Sequence, residues 1–150
     1  MRDVELAYSE PTWTAVIRDR VPAKELSKFV PAACGEVWKF IRANEIPQPG
    51  RHVAVYFEDG SVEVGAEVGE SFTGNERVQC SQLPVGRAAH AVHFGPYGQL
   101  GMAHEAIRAW CTEHGHRTGV SWEVYGHWDE KWNTDPSKIR TDVFYLLDGK

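Results

Sequence analysis

The sequence predicts an α+β domain: a tandem, pseudo-twofold repeat of two strand-helix-strand-strand units, with an antiparallel sheet, two main helices on one face and a central cleft between them. Three observations carry this. Apolar residues recur at helical spacing twice, as Ala33, Val37, Phe40 and Ile41 and as Leu100, Ala103, Ile107, Trp110 and Cys111. Each helical stretch is followed by two runs of strand character. The halves also align at an offset of 69 residues, which sets Val37–Arg42 on Ala106–Cys111, Gly50 on Gly119 and Val55-Tyr56 on Val124-Tyr125. Two copies make a paired domain rather than a solenoid, which needs three or more repeats.

Taken in order, Val4–Tyr8 and Trp13–Arg18 read as strands on either side of the breaker Pro11, and Val21-Pro22 closes them. Pro31 suits the first turn of a helix, where no N–H is needed, and that helix should end near Asn44, before the turn Ile46–Gly50. Asp59-Gly60 joins strands His52–Glu58 and Ser61–Val68 as a hairpin. The polar loop Glu70–Asn75 marks the midpoint, so the repeat halves fall at about residues 1–70 and 76–150 of one domain spanning 1–150. Strands Arg77–Gln82 and Gly86–Phe94 follow, interrupted at Leu83-Pro84. The turn Gly95-Pro96-Tyr97-Gly98 feeds a helix to about His114, and strands over 120–128 and 139–147 complete the chain.

Composition is that of a globular domain, 42% hydrophobic and 25% charged, with net charge −5 from 16 basic and 21 acidic residues. That balance opposes direct DNA binding, which needs clustered positive charge to release counterions, and mildly favours cationic ligands. The first residues carry alternating charge rather than a secretory apolar block, and no run approaches the ~20 apolar residues of a membrane span. A cytoplasmic location is expected. Cys34, Cys80 and Cys111 are widely spaced, form no CxxC pair, and read as reduced core thiols.

The chemistry concentrates in residues 118–132, the most aromatic stretch. On a strand, Ser121, Glu123 and Tyr125 share one face and Trp122 and Val124 the other. Glu123 is a lone acid among hydrophobes, and burying its charge without a partner costs several kcal/mol. Either the position is wet, or the acid is neutral, or a positive group arrives. The expectation is that a positive group arrives, against the rival of an internal Arg or Tyr partner. The repeat sharpens the point, because the equivalent of Glu123 is Ala54 and the scaffold does not require an acid there. Tyr125 and Tyr145 align on the Glu123 side of their strands, and Trp132 lies in a loop able to cap a cleft. Trp38, Tyr8, Tyr56 and His93 complete the candidate ligand-contacting set.

Other motifs fail. His104-Glu105 begins like the zinc-protease HExxH, but position 108 is Arg. His90 and His93 fall on opposite faces of a strand, and His114 and His116 mark an exposed helix end. No metal and no cofactor are expected. Dinucleotide and phosphate-loop fingerprints are missing, as is a nucleophile elbow.

Pro11-Thr12-Trp13-Thr14-Ala15 with Arg18, Gly95-Pro96-Tyr97, Trp122-Glu123-Val124-Tyr125 and Thr141-Asp142-Val143, in this order, resemble the GyrI-like small-molecule-binding domains, which also serve as effector-binding domains of multidrug-responsive transcription activators. The resemblance implies a central ligand pocket for bulky, flat, lipophilic and often cationic aromatic compounds, with the negative charge supplied by a glutamate on the penultimate strand, the motif position held by Glu123. It also implies a stand-alone multidrug-binding protein that sequesters or senses its ligands, because this domain begins within the first few residues, where the family's regulators carry a DNA-binding region. Some family members resemble hydrolases of strained, cyclopropane-type genotoxic natural products, which would make Glu123 and Tyr145 catalytic. Modulation of DNA gyrase through a protein contact, and haem binding as in the distantly similar SOUL-type domains, are weaker implications. Oligomeric state is open between monomer and weak dimer.

Overall fold

A computed structural model describes residues 3–126 and 135–147. The chain runs β1 (Glu5–Ser9), β2 (Trp13–Arg20), α1 (Leu26–Ala43), β3 (His52–Tyr56), β4 (Ser61–Val68), β5 (Gln79–Gln82), β6 (Gly86–Phe94), α2 (Leu100–Glu113), β7 (Thr118–Tyr125) and β8 (Arg140–Leu147). All pairings are antiparallel, in the order β1-β6-β8-β7-β3-β4-β2-β5. The α+β class, the antiparallel sheet and the two helices match the expectation. The repeat is richer than strand-helix-strand-strand: each half has a further leading strand, which it lends to the other half, β1 pairing with β6 and β5 with β2.

This exchange bends the sheet. β1 and β2 stand six strand spacings apart in the order, about 29 Å if flat, yet the link from Ser9 to Trp13 reaches at most about 14 Å. The link from β5 to β6 is equally short, and the two connections hydrogen-bond to each other, Leu83 N–H to Thr12 C=O at 3.0 Å and Ser9 Oγ to Pro84 C=O at 2.5 Å. The ends of the sheet therefore curl together over one face, enclosing Val53, Val55, Leu83, Ala88, Trp122 and Val124. Both helices pack on the opposite face. Ala33, Val37 and Ile41 of α1 meet Ala15, Ile17, Val64 and Ala66, while Leu100, Ala103, Ile107 and Cys111 of α2 meet Ala89, Ala91, Val143 and Leu147.

One boundary moves in a way that matters for the site. α1 begins at Leu26, not at Pro31, so the proline lies inside the helix. Its missing N–H forfeits one bond to Ser27, a cost of about 3 kcal/mol in a helix interior. The extra turn sets Leu26, Phe29 and Val30 against the core, and their burial offsets that cost. β3 ends two residues earlier than expected and β5 starts two later, within ordinary fraying.

Candidate functional site

The pseudo-twofold axis passes through the β3–β7 ladder, where Ala54 and Glu123, equivalents by repeat, stand directly opposite each other. Trp122 and Val124 pack into the curled face, so strand alternation turns Glu123 and Tyr125 toward the helices. Ser121 lies opposite Tyr56 on β3 and Tyr145 on β8, and this row brings both phenols onto the Glu123 side.

Glu123 is only 5% exposed. Its Oε1 accepts from the hydroxyls of Tyr56 at 3.0 Å and Tyr125 at 2.5 Å, and its Oε2 lies 2.7 Å from Nε2 of His104 on α2. The other ring nitrogen, Nδ1, is 2.7 Å from the Tyr145 hydroxyl, whose oxygen accepts from Arg108 at 2.9 Å. Burial, then the negative charge of Glu123, pushes the Tyr56 and Tyr125 phenols well up. Burial also raises Tyr145, against the opposing pull of Arg108. All three phenols therefore remain protonated donors at neutral pH. With Glu123 ionised, Nε2 of His104 donates to it, and in a neutral ring Nδ1 then accepts from Tyr145.

Above this floor the two helices part. A cavity of about 540 Å³ is lined by Leu26, Val30, Pro31 and Cys34 of α1, His52 and Tyr56 of β3, Tyr97, Gly98 and Leu100 before and at the start of α2, and Glu123 and Tyr125 of β7. Its walls are mostly apolar or aromatic, with a carboxylate at the base, the arrangement of a small-molecule site. Tyr97 stands edge-on to Tyr125, ring centroids 5.6 Å apart. It is placed by the turn at Gly95, whose φ of +137° only glycine adopts readily. Burial pushes the Cys34 thiol up to about 12, so it is protonated; it is a free thiol packed against the core, as expected, and it also lines the cavity. Among the described residues no cluster of three His, Cys, Asp or Glu could hold a metal, and no helix is long and apolar enough to cross a membrane.

The family model for the GyrI-like small molecule binding domain matches residues 2–147. The chain belongs to this family. The GyrI-like domain is similar in fold to the C-terminal domain of EcmrR, with TM-score 0.78 and 19% identity over 99% of this chain and 98% of that one. In the EcmrR–DNA complex it spans only 57% of the EcmrR chain. It also resembles SAV2435 bound to tetraphenylphosphonium, at TM-score 0.71 and 12% identity over 98% of this chain and 94% of that one. A third likeness is a hydrolase encoded by lin2189 from Listeria innocua, at TM-score 0.61 and 10% identity over 98% and 92%. No curated protein sequence matches.

Of the residues singled out from sequence, this GyrI-like domain gathers Glu123, Tyr125 and Tyr56 at the cleft, with Tyr145 just behind them. Trp38 is set one ring further out, its centroid 5.9 Å from that of His52. Two choices are corrected. Tyr8 is 59% exposed on the edge strand β1, opposite Arg87 and away from the cleft lining. His93 is fully buried under the Gly95-Pro96 turn, with Nε2 3.2 Å from the Pro96 carbonyl, and supports that turn instead of facing the cavity. Trp132 lies outside the described residues. The reading of Glu123 as an acid short of internal partners is also corrected, since two tyrosines and a histidine meet it. His104 and Arg108 were missed. Both sit one helical turn from apolar-face residues, Leu100 and His104 being four apart, and a histidine breaking an apolar stripe was the available signal.

Proposed function

We propose that this domain binds bulky lipophilic cations of aromatic character, as a multidrug-type binding protein acting by sequestration or sensing. The observation that carries the reading is the buried Glu123 carboxylate at the base of a largely apolar, tyrosine-walled cleft. Its donors are neutral phenols and, in the neutral form, an imidazole, so they hold the carboxylate in place without cancelling its charge. A cation about 6 Å away gains on the order of 2–3 kcal/mol at an effective dielectric near 20, and rings facing a desolvated cation add up to ~2 kcal/mol. Because three of the carboxylate's roughly four acceptor sites are already engaged, a ligand is drawn more by charge and ring contact than by hydrogen bonds to Glu123. This favours delocalised or quaternary cations over primary ammonium groups. The tetraphenylphosphonium held by SAV2435 belongs to that class.

The test is saturable binding of tetraphenylphosphonium or a rhodamine dye by calorimetry or fluorescence. Saturable binding, weakened about 30- to 100-fold by Glu123→Gln, is expected from the Coulomb gain. Absence of saturable binding, or an unaffected variant, contradicts the reading.

A second reading, hydrolysis of strained-ring electrophiles, is favoured by the two protonated phenols on one carboxylate oxygen, a pair able to donate to a leaving group while Glu123 acts on water. Multiple turnovers of a cyclopropane-bearing alkylator, abolished by Glu123→Gln, would select it. Stoichiometric protection without product supports binding alone.

A further inference from the structure

We propose that His104 is a positioning residue that sets the net charge of the cleft, so that cation binding is coupled to loss of a proton from its ring. This rests on the cation-binding reading above. The ring bridges two strands: Nε2 meets the Glu123 carboxylate on β7 at 2.7 Å, and Nδ1 meets the Tyr145 hydroxyl on β8 at 2.7 Å, whose oxygen also accepts from Arg108, one turn further along α2. The ring is also fixed by packing, edge-on to Tyr145 at 5.5 Å and to Tyr56 at 6.5 Å between centroids.

The groups facing it are few. Glu123 and Tyr125 come from β7, Tyr56 from β3, Tyr145 from β8 and Arg108 from α2 itself, while Cys34 of α1 lies beyond Tyr56 and stays a neutral thiol. The phenols are pushed up by burial and remain uncharged. Among these groups His104 is the imidazole, a ring that holds one proton or two and can keep a contact at each nitrogen in either state.

With the ring neutral, the Tyr145 hydroxyl donates to Nδ1, Nε2–H donates to Glu123, and the carboxylate's charge has no cation in direct contact, Arg108 being held on Tyr145. Adding a proton to Nδ1 places a positive charge beside Glu123 and turns the Nδ1–Tyr145 contact around, so that both Arg108 and His104 donate to one phenol oxygen. A lipophilic cation then competes with that proton for the same carboxylate. By linkage, affinity rises with pH and binding releases a proton.

Tetraphenylphosphonium tests this, because it has no titratable group. Its dissociation constant, measured calorimetrically from pH 5.5 to 8.5 in buffers of different ionisation enthalpy, is expected to tighten about tenfold across the range, with proton release at the lower end. His104→Gln retains an N–H donor for Glu123 and removes the ring that takes up the proton, so the pH dependence should flatten and proton release on binding should be lost. On the free protein, side-chain 15N shifts at pH 8.5 should place the His104 proton on Nε2, and Tyr145→Phe, which leaves the Glu123 contact in place, should keep it there with the fold intact by circular dichroism. Binding that depends on Glu123 but is flat with pH, or a proton resident on Nδ1, overturns the role of His104 and leaves the cation-binding reading standing. No binding at any pH overturns both.

Discussion

Two histidine-paired buried acids lie on opposite faces of the same sheet, and they differ in what balances them. Asp142 on β8 is 2.7 Å from His90 Nε2 and takes two hydrogen bonds from Arg140, at 2.9 and 3.2 Å. His90 stacks on Phe144 and Phe144 on Trp122. Asp142 also has a counterpart across the pseudo-axis. It pairs with Val124, and the equivalent valine, Val55, pairs with Glu63, a buried acid that likewise has an arginine, Arg18, at 3.0 Å, and Ser81 at 2.8 Å. These two acids are symmetric and compensated by full positive charges. Glu123 is neither: its counterpart is Ala54, and its nearest donors are phenols and an imidazole. An acid serving the scaffold is repeated and paired with arginine, whereas the acid under the cleft has an alanine as its counterpart and is met by phenols and an imidazole.

The largest way to break this asymmetry is to make Glu123 symmetric. Ala54→Glu adds a second carboxylate directly opposite the first, at a fully buried site packed near α1, and should destabilise the fold by about 3–5 kcal/mol in chemical denaturation. Next comes Asp142→Asn, which removes charge-assisted bonds and should cost about 1.5–3 kcal/mol while leaving cation affinity within about twofold. Glu63→Gln should cost about 1 kcal/mol, since Arg18 is 43% exposed and solvent screens the pair.

Acid unfolding sharpens the same contrast. Burial by itself raises the Asp142 carboxyl, but the hydrogen bonds from His90 and Arg140 and their charges outweigh it and hold Asp142 well below the usual carboxylate range. A carboxyl lowered in the folded state contributes stability that is present above its unfolded value, about pH 4, and is lost as pH falls below that. Asp142→Asn should therefore flatten the fall in stability below pH 4. The smallest effect is expected from Trp38→Ala, which should change cation affinity by less than about threefold, because its ring reaches the cleft only through His52.

Much of this was legible in the sequence, and the reason is local. The apolar period of α2, the Asp59-Gly60 hairpin and the alternation in β7 and β8 are short-range signals that burial reinforces, and the lone acid in Trp122-Glu123-Val124 was visible as an anomaly. The offset of 69 residues even placed Ala54 as its counterpart, which the β3–β7 register makes a direct neighbour. Three features were illegible. The exchange of β1 and β5 between halves depends on long-range pairing. The first turn of α1 was hidden because Pro31 reads as a helix start, and only the packing of Leu26 and Val30 shows that the helix tolerates it. His104 was weighed only as half of a failed zinc motif, since no sequence spacing reveals that α2 lies over Glu123.

Recognition of charge as well as shape by the cleft is read from a comparison of tetraphenylphosphonium with tetraphenylborate, ions of nearly the same form and opposite sign. At pH 8 and fixed ionic strength the parent protein should bind the phosphonium at least about 100-fold more tightly, from a charge term on the order of 2–3 kcal/mol of either sign, and Glu123→Gln should collapse most of that ratio while Asp142→Asn preserves it. Equal affinities for the two ions, or a ratio that survives Glu123→Gln, would contradict the account.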